Sequence, residues 1–140
     1  RALLLRRRIV LYAPPPLGPA CLLVRAACEL LNATDRPTPT IRPLFYVNLA
    51  DLPHLTVNSE GFLACTSERI FAEKPNLWDV YADAMQLQTT PEFEGLLRCG
   101  ARDRDRHADL QRLISRAGDA EAAIAAYFAR ANDQLFGGLV

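Results

Sequence analysis

The stretch Arg6 to Gly18, RRRIVLYAPPPLG, decides the fold. Ile9 to Ala13 is an apolar run of strand length, and the mostly apolar run from Pro19 to Leu31 is long enough for a helix. Pro14 to Gly18 therefore reads as a β-to-α loop. Nucleotide-binding folds hold phosphate at such a loop with backbone N–H groups from glycines and a helix N-terminus. Pro14, Pro15, Pro16 and Pro19 have no N–H to donate, so most of that anion cradle is missing.

Outward from this junction, the helix carries only Arg25 and Glu29 as charged positions, which predicts cover on most of its faces. Asn32 to Pro43 holds Asp35, Pro37, Pro39 and Pro43 and reads as a loop delivering the chain to a second strand, giving a strand, helix, strand unit with parallel strands. Asp51 to Glu60, with Pro53, Asn58 and Ser59, reads as a loop around a short helical turn. Thr66 and Ser67 are placed to cap a short helix, Glu68 to Lys74, whose Ile70 and Phe71 point to the core. Leu77 to Ala82 alternates, with Trp78, Val80 and Ala82 on one face and Asp79, Tyr81 and Asp83 on the other, which predicts one wet face near a sheet edge. After Met85 a short extended piece, Gln86 to Thr90, reaches Pro91. A charged helix then covers Asp103 to Arg116, with His107, Leu110, Ile114 and Ala117 as its inner face. Gly118 ends that helix and Asp119 caps the next. The last helix has Ala120, Ile124, Tyr127, Phe128, Ala131 and Leu135 in one stripe, and Gly137-Gly138 closes it.

These readings combine into an α/β domain with a mostly parallel central sheet and flanking helices, followed by a helical hairpin. Strands are expected near 8–13, 44–49, 61–66 and 77–82. Residues 1–140 are expected to form a single domain, with an α/β part at 6–90 and a helical part at 91–140. The chain begins at Arg1 rather than Met, which reads as a fragment or processed product.

Hydrophobic residues make up 50% and charged residues 23%, which excludes a disordered chain on composition. Sixteen basic and sixteen acidic residues cancel, so no global field favours nucleic acid or an anionic membrane. All the basic residues but Lys74 are Arg, which is attributed to coding bias. Pro14 to Pro16, Arg25 and Glu29 interrupt the best apolar run, and no transmembrane segment is expected. Five Arg and no acid in the first 28 residues resemble a transit peptide, but the prolines and the lack of Ser oppose that reading. Cys21, Cys28, Cys65 and Cys99 form no C-x-x-C pair and have no neighbouring His, so zinc is not expected. Cys21 and Cys28 lie too far apart along one helix for a disulfide, and a reducing, intracellular compartment is the simplest account. The triplet at Asn32 is a formal glycosylation sequon that carries no weight.

No catalytic, cofactor-binding or metal residues are assigned. His54 lies near Asp51 and His107 near Asp103, but no G-x-S-x-G elbow supplies a nucleophile, and Ser59, Ser67 and Ser115 sit in a loop, at a cap and on a helix face. Structural roles are the better reading of both histidines. Cys65, at the end of a strand and before a helix, is the most tempting nucleophile. No basic group adjoins it in sequence, and a buried small residue is the preferred reading. Asp79 and Asp83 read as a solvated edge, and the Arg/Asp run at 102–106 as a solvated helix front. No G-x-x-x-x-G-K-[ST] or G-x-G-x-x-G occurs.

Four blocks in order carry a resemblance: RRRIVLYAPPPLG at 6–18, PLFYVNLADL at 43–52, LACTSERIFAEK at 63–74 and LWDVYADA at 77–84. Together they resemble the DENN domain proteins, in particular the LCHN-type branch. The match is close over residues 6–90 and loose over 91–140. The resemblance implies the C-terminal lobe of a guanine-nucleotide exchange factor for Rab GTPases in membrane trafficking. Such a protein is cytoplasmic and peripheral to endomembranes, and a longin-like N-terminal lobe, absent from this chain, completes the clamp on the GTPase. It implies no small-molecule cofactor and no enzyme activity of the chain itself, and it transfers no contact residues. Two alternatives stand beside it: a GTPase-docking or trafficking interaction module without exchange, and a small-molecule enzyme using Cys65 at a switch point of the sheet.

Overall fold

A computed structural model describes residues 2–33, 41–57, 60–84 and 86–137. Two compact units divide the chain: Arg1–Cys28 with Thr40–Leu97, and Glu29–Pro39 with Arg98–Val140.

The first unit is built on a five-stranded sheet of β1 (Ile9–Tyr12), β2 (Arg42–Tyr46), β3 (Phe62–Thr66), β4 (Val80–Ala82) and β5 (Leu87–Thr89). Its strand order is β2-β3-β1-β4-β5, with the first four strands parallel and β5 antiparallel to β4. This is the expected α/β architecture. β3 is buried at all five positions, as its apolar run Phe62–Cys65 requires of an inner parallel strand, and polar Thr66 ends it. It pairs with β1 from Ile9↔Leu63 to Tyr12↔Thr66, so β1 and β2 are parallel but separated by β3. The core gathers Val10, Val47, Leu55, Phe62, Ala64, Phe71, Leu77, Trp78 and Tyr81.

Helix α1 runs from Gly18 to Asn32 and buries Ala20, Val24 and Cys28. It is not covered on most faces: Leu22 and Leu23 are 66% and 58% exposed. A short helix, α2 (Leu52–Val57), follows a 3-10 turn at Leu49–Asp51. Residues 34–40, where a loop is expected, lie outside the described residues, as do Asn58, Ser59, Met85 and Gly138.

The second strand differs from expectation, spanning 42–46 rather than 44–49. Pro43, expected in the loop, lies in β2, an edge strand, where a missing N–H costs no ladder bond. A register shift between Pro43 and Phe45, with Phe45 at φ 48°, bends this edge. Beyond it Val47 N–H still donates to Cys65 O, and Asn48 then caps the 3-10 turn.

The fourth strand is shorter than 77–82, and neither of its faces is wet. Val80 and Tyr81 are both 2% exposed, because β4 lies between β1 and β5. Leu77 and Trp78 precede the strand in the core, and the Trp78 indole N–H donates to Phe71 O at 2.7 Å. After β3, the expected short helix is present as a 3-10 helix, Arg69–Glu73. Its Phe71 is fully buried while Ile70 is 41% exposed, so only one of the two residues expected in the core is there. Thr66 Oγ1 accepts from Glu68 N–H, whereas Ser67 makes no such cap.

Asp79 is not a solvated edge residue. Its carboxylate accepts from Arg8 N–H and from the Arg8 guanidinium, each at 2.8 Å, 71 residues apart in sequence. Burial works to raise its pKa, but the hydrogen bonds and charge of Arg8 outweigh burial and hold the carboxyl below its ordinary 3.8. A depressed carboxyl pKa contributes stability that is present above the unfolded value and is lost as pH falls through the folded one. Asp79→Asn is therefore expected to cost about 2 kcal/mol at pH 7. The gap to the parent should shrink below about pH 4 in urea unfolding followed by circular dichroism. A gap independent of pH would refute this account.

The second unit holds the helical hairpin α4 (Ala101–Arg116) and α5 (Ala120–Gly137); a short helix, α3 (Glu94–Leu97), ends the first unit. Asp103 reaches back to Gly100 N–H at 2.8 Å and Asp119 Oδ1 accepts from Ala122 N–H, so both helix starts are capped by acids. Ala120, Ile124, Tyr127, Phe128 and Ala131 are half-buried, as the stripe predicts. On α4 the inner face is Arg106, Leu110, Leu113 and Ala117, one step round from the expected face, and His107 and Ile114 are exposed. The Tyr127 hydroxyl donates to Arg106 O, fixing that rotation.

Candidate functional site

The carboxyl ends of β1, β2 and β3 come together at one end of the parallel sheet, where α/β domains place binding loops. β1 runs on as Ala13 N–H donates to Thr66 O, and the chain then enters Pro14 to Pro16, with a cis bond between Pro15 and Pro16. These three prolines are exposed and offer no donors.

Side chains from the loop after β3 tie this edge together. The Arg69 guanidinium lies over the Tyr12 ring, 4.9 Å from its centre, and Arg69 Nε donates to the Tyr12 hydroxyl. Glu68 accepts from Leu49 N–H at 3.0 Å, and the Ser67 and Tyr46 hydroxyl oxygens lie 3.4 Å apart. The loop after β3 is thus joined to the last residues of β1 and β2 and to the turn after β2, and Tyr46 and Leu49 remain 39% and 43% exposed. Such a surface offers aromatic rings, an aliphatic side chain and an arginine to a partner, on a stiff backbone. It does not offer a phosphate nest.

Beside β2 a groove of about 400 Å³ is lined by Arg42, Leu44, Tyr46, Val47, Asp51, Pro53, His54 and Leu55. Its acid is already engaged: Asp51 accepts from Asn48 N–H at 2.9 Å within a capping box. His54 and Asp51 therefore form no acid–base pair by this route, and His107, on an exposed face of α4, has Asp103 committed to the helix start. Ser115 donates to Arg112 O, Ser67 lies at the sheet edge, and Ser59 is outside the described residues. Asp83 accepts from Gln86 N–H. Among the described residues no three His, Cys, Asp or Glu side chains cluster to hold a metal. None of the described helices is long and apolar enough to cross a membrane.

Cys65 is fully buried, with its sulfur 3.6 Å from that of Cys21. Burial, then the hydrogen bond and charge of Cys21, push its thiol up to about 12. Wholly enclosed and disfavoured as a thiolate, Cys65 answers to the preferred reading of a buried small residue. Iodoacetamide at neutral pH is expected to modify exposed Cys99 and leave Cys65 unlabelled until the protein unfolds, as peptide mass mapping would show. Labelling of native Cys65 ahead of Cys99 would contradict this.

Sequence reading reached the blocks that build this edge but not the residues that join it. Tyr12, Tyr46, Glu68 and Arg69 lie inside the quoted blocks, and aromatic residues closing two strands were the available signal.

Fold and site define an α/β domain with a proline-stiffened loop surface at the carboxyl end of its sheet. The family model described as DENN domain-containing protein 11 matches residues 1–94, and the chain belongs to that DENN-domain family. It is 40% identical to the DENN domain-containing protein 11 of Danio rerio over 112 residues, covering 76% of this chain and 23% of that protein. The Xenopus laevis protein of the same name is 40% identical over 113 residues, with 76% and 26% covered, and the Rattus norvegicus protein is 38% identical over 112 residues, with 76% and 24% covered. The chain thus corresponds to about a quarter of the length of these relatives. No solved structure matches it.

Proposed function

We propose that this chain is the α/β C-terminal lobe of a DENN module of the LCHN-type branch, acting in an exchange factor for a Rab-type small GTPase in membrane traffic. Residues 1–140 form one piece of that module, with its α/β part at 6–90 and its helical part at 91–140, and a longin-like lobe completes the clamp. The protein works in the cytoplasm at the surface of endomembranes.

Family membership supports the general reading. One structural observation carries the particular one: side chains join the carboxyl ends of β1 and β2 and the loop after β2 to the loop after β3, beside an exposed run of three consecutive prolines. A surface of this kind suits a protein that itself holds a nucleotide better than it suits the nucleotide. Binding energy spent on the nucleotide-free form of the GTPase then promotes release, with no reacting side chain on the exchange factor.

The test is release of a fluorescent GDP analogue from a panel of Rab proteins, with this chain alone and with the chain extended through its natural N-terminal flank. Acceleration by the extended protein only is the expected result. Binding without acceleration would replace exchange with simple docking, and no binding by either form would end the proposal. Arg69→Glu reverses an exposed charge at the pinned edge and is expected to weaken association at least about tenfold.

A further inference from the structure

Two of the four cysteines meet in the first unit, and neither the fold nor the proposed docking role uses them. Cys21 lies in the early turns of α1 and Cys65 is the fourth residue of β3, 44 residues away, yet their sulfurs are 3.6 Å apart. A disulfide bond is about 2.05 Å long, so closure needs a sulfur-to-sulfur movement of about 1.5 Å. Their exposures differ: Cys21 is half-buried and Cys65 is wholly buried, so Cys21 is the more accessible of the two. Cys28 is buried further along α1, and Cys99 is exposed in the second unit.

We propose that Cys21 and Cys65 form a reversible dithiol–disulfide pair that responds to hydrogen peroxide. Cys21 reacts first. Its sulfur attacks peroxide, an S–O bond forms as the O–O bond breaks, and the departing hydroxide takes the thiol proton as water. Cys65 sulfur then attacks the Cys21 sulfenic sulfur, an S–S bond forms as the S–O bond breaks, and the Cys65 proton leaves with the hydroxyl as a second water. Two thiols have lost two electrons and two protons, and one peroxide has become two waters. A small dithiol reverses the change by exchange at the Cys21 sulfur, which is the more accessible one.

The order of events follows from burial. Wholly buried, Cys65 is shielded from direct oxidation, and its sulfur, 3.6 Å from that of Cys21, stands where the resolving partner must be. The link would join the first half of α1 to β3 one residue before Thr66, and so would fix the loop between β1 and α1.

The experiment uses the whole chain. After mild hydrogen peroxide treatment, thiols are counted in denaturant and a non-reduced digest is mapped by mass. The expected result is a fall from four thiols to two, a cross-linked peptide containing Cys21 and Cys65, recovery of four thiols with dithiothreitol, and a rise of several degrees in the melting midpoint of the oxidised form. Because replacing buried Cys65 could unfold the protein, the variant to use is Cys21→Ser, in which Cys65 should stay reduced under the same treatment. Persistence of all four thiols, conversion of Cys21 to its sulfinic acid beside a free Cys65, or a Cys99 cross-link between two chains instead would each overturn the pair.

Discussion

Gly61→Ala is expected to cost about 3–5 kcal/mol, enough to bring a domain of ordinary stability close to unfolding. Gly61 stands immediately before β3, and a Cβ built on it runs into the carbonyl carbon and oxygen of Arg6 and lies 2.9 Å from Arg6 Cα. These are backbone atoms, and they cannot swing aside as a side-chain tip would. Arg6 itself sits at φ 53°, closing a turn in which Arg6 N–H donates to Leu3 O and Arg7 N–H to Ala2 O. Moving that turn would pull on β1, whose first residue, Ile9, pairs with both Leu63 and Val80. Relief at Gly61 would therefore disturb three strands. Gly18→Ala is the matched control, since nothing lies within 4 Å of its Cβ and it is the first residue of α1, where alanine is expected to leave stability unchanged to within about 0.5 kcal/mol. Urea midpoints of the two variants measure the contrast, and equal stability of Gly61→Ala and the parent would remove the close-approach explanation.

The elements that sequence placed well are those whose periodicity is local. FLAC within the expected strand near 61–66 marks a strand, the stripe on α5 marks its buried face, and the proline loop after Ile9 to Ala13 marks a strand-to-helix junction. What it missed depends on partners far along the chain. Pro43 argues against a strand until the strand is known to be an edge, and edge position is a property of the whole sheet. Asp79 and Tyr81 alternate as though facing water, yet Arg8 neutralises one and the sheet encloses the other. The same holds for the candidate site. Its blocks could be read, but the bonds of Arg69 to Tyr12 and of Glu68 to Leu49 tie the loop after β3 to the end of β1 and to the turn after β2, and no local pattern encodes such a meeting.

Asn132→Ala is expected to destabilise the second unit by about 2–3 kcal/mol, and Asn132→Asp by more. Asn132 is 3% exposed, and its side-chain amide donates to Leu30 O at 2.9 Å, Leu31 O at 3.1 Å and Ala33 O at 3.2 Å. The last carbonyls of a helix have no partner within it, and those at the end of α1 find theirs in this one amide. Alanine would leave them unsatisfied in a site closed to water. Aspartate would be worse for a separate reason: it presents acceptors to acceptors and adds negative charge at the negative end of the helix dipole. Its carboxyl would then titrate above the ordinary range, so part of the loss should return as pH falls and the protonated acid regains a donor. Urea unfolding of both variants at pH 7 and pH 5 separates the two effects. Recovery of Asn132→Asp but not Asn132→Ala at the lower pH is the expected pattern. Equal losses at both pH values would mean that the site is packed by shape and that its donors contribute nothing.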